Sequence, residues 1–346
     1  MPLRALNRLG HTQAVLLMVA VTLMWSIAGV VSRQLEAAAR FEVTFWRSAF
    51  TALSLLVILP LWRAADRAAG VMPPAGDRQG LIEKHWGLLL GSRTFWVSGA
   101  CWATMFTAFM LALTFTSVAN VLVVMSAGPL FTALLARMFI GQRLPLRTWL
   151  AIVAAGIGIV YMYGSQMWAA FTDPGANASG LVLGSLFALC VPVAGAVNWT
   201  AVQRSQQHGE SIDLVPAVLL GAILSTLATA FLAMPFMATG RDIAWLALLG
   251  LVQLAIPCAL AVVCARSLKA PEVSLLALLE VIFGIVWAWL GANEVPGPEV
   301  LLGGSVVITA LLINELLGWR SRQAAPRIQN LSARNEPAVH PAEDKT

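Results

Sequence analysis

A chain of 346 residues has room for two or three soluble domains by length, but 59% of its residues are hydrophobic and 11% charged, with a mean hydropathy of +0.78. Soluble chains carry about 25% charged residues, so the composition excludes a water-soluble globular protein and indicates a single membrane bundle. The net charge of +5 does not mark a nucleic-acid binder, because the Lys and Arg fall between apolar runs, where they act as topology signals.

A helix needs about 20 apolar residues to cross a hydrocarbon core of about 30 Å. Ten segments qualify: Ala14 to Val31, Val43 to Trp62, Phe95 to Phe115, Val118 to Phe139, Trp149 to Tyr163, Gly180 to Val202, Leu214 to Met237, Ala244 to Ala265, Val273 to Gly291 and Val300 to Leu317. The first follows Arg4, Arg8 and His11 like a signal peptide, but it is longer than such a core and nine more runs follow it. Between the second and third, residues 63–94 form a polar linker with Pro73-Pro74 and Gly76. Residues 319–346 hold few large apolar side chains and are expected to be a disordered tail.

Cytoplasmic connections retain Lys and Arg. Most of the 22 here lie on one side: Arg4 and Arg8, Arg63 to Arg93, Arg137 to Arg147, Arg204, Arg266, Lys269 and the tail. The other side holds Arg33, Arg40 and Arg241, together with the acidic Asp173, Asp242, Glu294 and Glu299. The reading is a multi-pass protein of the cell inner (plasma) membrane with both termini, including residues 1–13, in the cytoplasm. Cysteines placed at Asp173 and Glu299 of a cysteine-free variant are therefore expected to react with an impermeant maleimide in intact cells. Labelling at Arg78 or Arg143 instead contradicts this orientation. Several of the 13 tryptophans, among them Trp62, Trp96, Trp149, Trp168, Trp245, Trp289 and Trp319, sit near span ends, where a half-wet ring is favoured. Trp25, Trp102 and Trp287 lie deeper.

Short connections after the third and eighth segments suggest an internal repeat. A shift of 152 residues (273 minus 121) lays Val121 on Val273, Ala136 on Ala288 and Gln142 on Glu294. Five spans per half is an odd number, so the second half enters the membrane upside down. The connections agree, because Gln142 to Arg147 is basic and its counterpart Asn293 to Glu299 is acidic. The expected fold is all-α integral membrane, with ten transmembrane helices as two inverted five-helix repeats at 14–165 and 180–318.

Trp25-Ser26, Arg47, the run from Pro129 through Ile140-Gly141-Gln142-Arg143-Leu144, and Leu279-Glu280 through Asn293-Glu294-Val295-Pro296 resemble the EamA family of the drug/metabolite transporter superfamily, over roughly Ala14 to Leu317. The chain departs from the family pattern at Gln142, where Glu is usual, and at Val281, where Pro often follows the glutamate. The resemblance implies a carrier of amino acids, nucleobases, vitamins or similar small molecules. It works by alternating access, with export favoured and proton coupling as one form it can take.

At 1.5 Å of rise per residue, Trp25, Ser26, Ser126, Pro129, Gln253 and Glu280 fall near the midplane. An ionisable residue there costs about 2.5 to 3.5 kcal/mol on insertion scales and faces the bundle interior or a wet cavity. Glu280 belongs to a small and polar stripe with Ser274, Ala277, Gly284, Ala288 and Gly291, whose repeat counterpart is Gly128, Thr132 and Ala136. Such a stripe either lets helices pack closely or lines a path for a solute. Glu280 itself is either a proton-coupling carboxyl or a protonated group hydrogen-bonded to Gln253. Arg47, about 7 Å below the outer boundary by the same ruler, either snorkels to headgroups or clamps an anion at the outer mouth. It lies roughly 10 Å from Glu280 along the membrane normal. Trp25 and Trp102 are core filler, lipid-facing, or rings for an aromatic or cationic solute. Asn198 reads as an interhelical hydrogen bond. The candidate substrate set is Trp25, Ser26, Arg47, Trp102, Gln253 and Glu280, with Pro129 and Pro257 as helix hinges.

The rival classes are an intramembrane enzyme and a membrane receptor or structural protein. His11, His85, His208 and His340 lie in loops or termini, and no HExxH or GxSxG occurs. Cys101, Cys190, Cys258 and Cys264 form no CxxC pair, so neither a disulfide framework, a zinc site nor another cofactor is indicated. The expected partners are a small-molecule substrate and the lipid bilayer.

Overall fold

The computed structural model describes residues 9–68, 87, 89–141, 178–208 and 213–292, with parts of 145–168 and 297–317. Residues 69–86 and 88 of the polar linker, the tail, Gln142 and Asn293 to Pro296 lie outside the described residues. Among the described residues the regular structure is helical, with no strand.

Seven helices are long and apolar enough to cross a membrane: His11–Ser32, Arg40–Ala64, Arg93–Phe115, Val118–Ile140, Val182–Gln207, Gly240–Cys264 and Ala270–Gly291. Three shorter apolar helices, Trp149–Gly158 (α7), Val215–Ala230 and Leu301–Asn314, occupy the fifth, seventh and tenth expected positions. The seventh differs from the sequence expectation, which carried it to Met237. Helix stops at Ala230, Pro235 cannot continue it, and the backbone N–H groups of Met237 and Ala238 bond to a side chain instead.

That side chain begins a paired outer latch. Glu42, in the first turn of α3 (Arg40–Ala68), is fully buried and accepts from Met237 N at 2.9 Å, Ala238 N at 2.9 Å and Ala39 N at 3.3 Å. Asp242, in the first turn of α10 (Gly240–Leu248), is fully buried too. It accepts from Glu36 N at 2.8 Å, Ala37 N at 3.1 Å and Thr239 N at 3.2 Å. Each carboxylate therefore caps its own helix and also holds the connection that precedes the other's helix.

Several long spans are interrupted. The first is α1 (His11–Trp25) followed by α2 (Ala28–Ser32), and the fourth is α5 (Val118–Met125) followed by α6 (Gly128–Ile140). At both breaks a serine hydroxyl donates to the carbonyl three residues back, Ser26 to Leu23 at 2.7 Å and Ser126 to Val123. Such a bond competes with the regular ladder and often accompanies a bend. The ninth is α12 (Ala270–Ala277) followed by α13 (Leu279–Ala292). Helices α5 and α12 have equal length and begin 152 residues apart (270 minus 118), so the repeat offset seen in the sequence also places the two breaks in register. The eighth span is continuous but contains a π stretch, Leu249–Ala255, between α10 and α11 (Ile256–Cys264). Pro257, in the first turn of α11, has no N–H to serve the carbonyl of residue 253, the kind of defect that widens a helix locally.

Packing relates the two halves. Helix α5 lies against α13 while α6 lies against α12, so the first part of the fourth span meets the last part of the ninth and the reverse, an antiparallel crossing. Leu122 of α5 fills the space that a side chain at Gly284 would occupy. At the other end of the crossing, the Thr132 and Ser274 hydroxyls are 2.7 Å apart. Around this centre, α4 (Arg93–Phe115) packs on α8 (Ala178–Gln207) and α9 (Val215–Ala230). Helix α3 packs on α9 and on the π stretch, and α1 packs on α11. Gly250 permits the approach of α3, since a Cβ there would stand 2.9 Å from both Arg47 O and Thr51 N, and backbone atoms cannot yield to it.

Candidate functional site

The broken spans converge on a cavity of about 120 Å3. Helix α4 presents Trp102, Met105, Phe106 and Phe109, spaced three and four residues apart on one face. Helix α8 presents Val191, Pro192, Gly195, Ala196 and Trp199. Trp25 closes one wall from the end of α1, Met125 and Gly128 flank the break in the fourth span, and Ser274, Ala277, Leu278, Glu280 and Val281 flank the break in the ninth. Gln253, Leu254 and Cys258 complete the lining from the eighth span. The stripe on the ninth span thus divides: its Ser274, Ala277 and Glu280 face the cavity, whereas Gly284 packs on Leu122 and Gly291 on Val30.

Arg47 is fully buried, which corrects its expected place at the outer mouth or among headgroups. Its Nη1 donates to Gln253 Oε1 at 3.2 Å and its Nη2 to the Phe106 carbonyl at 2.6 Å. Its Cζ stands 5.8 Å from the centre of the Phe109 ring, and Nε has no hydrogen-bond partner. The close approach of α3 to the π stretch at Gly250 turns this face of α3 inward, and a long side chain reaches several ångströms from its own depth. Arg47 and Glu280 therefore face one cavity. They form no ion pair within 4 Å among the described residues.

Gln253 Nε2 donates to the carbonyl of Trp25 at 3.3 Å. Both ends of this amide are thus engaged by Arg47 and α1, and it is not bonded to Glu280. Glu280 is 7% exposed and lines the cavity with no hydrogen bond to another described residue. Trp25 and Trp102 line the cavity rather than facing lipid. Trp102 packs edge-on against Trp199 with ring centres 5.7 Å apart. Ser26 is buried but stands outside the lining, its hydroxyl spent on Leu23. Pro129 lies in the first turn of α6, just past the break at Ser126, and Pro257 just past the π stretch. The ninth span breaks in the same register with Val281 in place of a proline, so a break at this place in the repeat can form without one. Asn198 accepts from the Ser98 hydroxyl at 2.7 Å, joining α8 to α4.

Phe106, Phe109, Met105 and Trp199 escaped the sequence reading. The first three follow from Trp102 by helical spacing once that residue is known to face inward, but nothing local marks Trp199.

A buried arginine and a buried glutamate on the walls of one cavity, inside a bundle of apolar helices, define a multi-pass membrane protein built around an internal site. The EamA-like transporter family model matches residues 12–164 and 182–315, and the chain belongs to that family. It is a transporter of the drug/metabolite type. One solved structure, described only as a crystal structure of a protein, is similar over 89% of this chain and 99% of its own, at 18% identity and a TM-score of 0.58. At that identity it shows the fold alone. No curated protein matches the chain.

Proposed function

We propose that this protein is a secondary transporter that moves a small metabolite, an amino acid, nucleobase or solute of similar size, across the cell inner membrane by alternating access, with export favoured. The seven long and three shorter apolar helices then form ten spans in two inverted halves, with both termini in the cytoplasm. The equal offset of the broken helices and the antiparallel crossing of the fourth and ninth spans support this arrangement.

The observation that carries the reading is the cavity itself. It lies where the breaks meet, draws its lining from both halves, and keeps Arg47 and Glu280 nine-tenths or more buried. A structural bundle has no use for an arginine and a glutamate buried beside a void, since burying ionisable groups costs stability. Parting α6 from α12 opens the cavity to one side, and parting α5 from α13 opens it to the other. Pro129, Pro257 and the serine breaks supply the bends, and Glu280 is the group that carries a coupling proton. The test is release from proteoliposomes loaded with a defined metabolite mixture and followed by mass spectrometry. At least one solute should leave faster than from protein-free vesicles.

A further inference from the structure

Helix α9 has 16 residues, about 24 Å at 1.5 Å of rise per residue, and so falls short of a hydrocarbon core of about 30 Å. Residues 231–237, which follow it, carry no charge. Phe231 is 89% exposed, and Leu232, Met234, Phe236 and Met237 are exposed as well. Phe231 also continues the exposed stripe of Ile223 and Leu227 on α9, each four residues from the last. The backbone of the same segment is polar and open. The carbonyls of Met234, Pro235, Phe236 and Met237 accept no hydrogen bond from a described residue, and Pro235 has no N–H to give. Shortly beyond, Arg241 pairs with Glu36 through side chains that are both well exposed.

We infer that residues 231–237 are seated in the headgroup boundary of the bilayer, with the glycerol and upper acyl region of phospholipids as their partner. The inference takes only the naming of the outer side from the carrier reading. Water on this face would leave a contiguous set of Phe, Leu and Met side chains unburied. Hydrocarbon would leave four successive carbonyls unpaired, which lipid-exposed backbone does not tolerate. A second copy packed dry on the face would strand the same carbonyls. The boundary region sets acyl chains and water side by side and so meets both needs, and aromatic side chains concentrate there. Phe236 fits that place, with its ring centre 5.3 Å from that of Phe45 and 5.4 Å from that of Trp46, whose indole N–H donates to Glu42 at 3.3 Å. The same carboxylate holds Met237 N and Ala238 N, so the lipid contact adjoins the outer latch.

The test is photocrosslinking of the full chain in vesicles of phosphatidylethanolamine and phosphatidylglycerol, with p-benzoylphenylalanine placed singly at Phe231, Met234, Leu53 or Glu36. All four side chains are exposed, so the probe is accommodated without repacking, and each variant is used only at parental thermal stability. Leu53 on α3 stands about 15 Å past Val43 and reports the middle of the hydrocarbon, while Glu36 reports water. Phospholipid adducts at Phe231 and Met234 should outnumber those at Glu36 several-fold. Mass spectrometry should place them on the glycerol or the first carbons of the acyl chain, and those at Leu53 near the chain ends. Adducts at Phe231 and Met234 as rare as at Glu36 overturn the inference, as do adducts near the chain ends or crosslinks mainly to a second copy. These outcomes leave the carrier reading standing. A chain that gives no phospholipid adduct at Leu53 either removes the membrane-spanning reading and this inference together.

Discussion

Glu42→Ala is expected to be among the most destabilising single substitutions in the chain, at about 2 to 5 kcal/mol. The carboxylate accepts from Met237 N, Ala238 N, Ala39 N and, at 3.3 Å, the Trp46 indole. An alanine strips all four donors of their acceptor around a side chain that is itself fully buried, and each donor left unpaired has a desolvation cost of its own. The connection before α10 would also lose its tie to α3. Asp242→Ala should act alike through Glu36 and Ala37. Glu36→Ala is the matched control, because the Arg241–Glu36 ion pair at 2.7 Å joins side chains that are 63% and 54% exposed, and such surface pairs are worth about 1 kcal/mol or less. Thermal unfolding of the purified variants in detergent checks this, and equal shifts for Glu42→Ala and Glu36→Ala would contradict the latch.

Glu280→Gln is expected to abolish transport driven by a pH gradient and to spare equilibrative exchange. The amide keeps the shape and hydrogen-bonding capacity of the carboxyl but cannot exchange a proton. A carboxyl that faces the cavity meets whichever side the cavity opens to, so its proton can load from one side and leave to the other. If binding of substrate releases that proton, movement of the solute is tied to the proton gradient. The variant retains Arg47, its two acceptors and the aromatic walls, so exchange of solute at equal concentration should continue at a reduced affinity. Measured in proteoliposomes with an imposed pH gradient, unchanged concentrative transport would assign Glu280 to helix packing.

Much of this was legible in the sequence, for reasons that differ from residue to residue. Hydropathy marked the spans because lipid leaves the backbone no alternative to helix. Depth alone brought out Trp25, Gln253 and Glu280, since a polar or bulky group at the midplane has few places to go. The same ruler misplaced Arg47, because depth says nothing of the direction in which a long side chain runs, and that direction is set by contact between α3 and Gly250 some two hundred residues away. The breaks at Ser26 and Ser126 were hidden because Thr22 and Thr114 make the same bond to the carbonyl three residues back without interrupting their helices. Glu42 and Asp242 read as ordinary acidic residues near span ends, since their decisive partners lie across the fold. The seventh span was drawn too long because Phe231, Leu232, Met234, Phe236 and Met237 are as apolar as a span and are exposed all the same.

The central claim is that the cavity between the two halves is the path of a transported solute. Gly195 offers the most direct test, because it lines the cavity and a Cβ there meets only ordinary contacts, with Met105 Sδ at 3.5 Å and Trp199 Nε1 at 3.8 Å. In Gly195→Leu the new side chain should therefore occupy the void with the bundle intact. Release of metabolites from proteoliposomes would be compared for the parent and this variant at equal reconstitution and equal thermal stability. The account predicts at least one solute released by the parent and retained by Gly195→Leu, and release at the parent rate by the filled variant would contradict it.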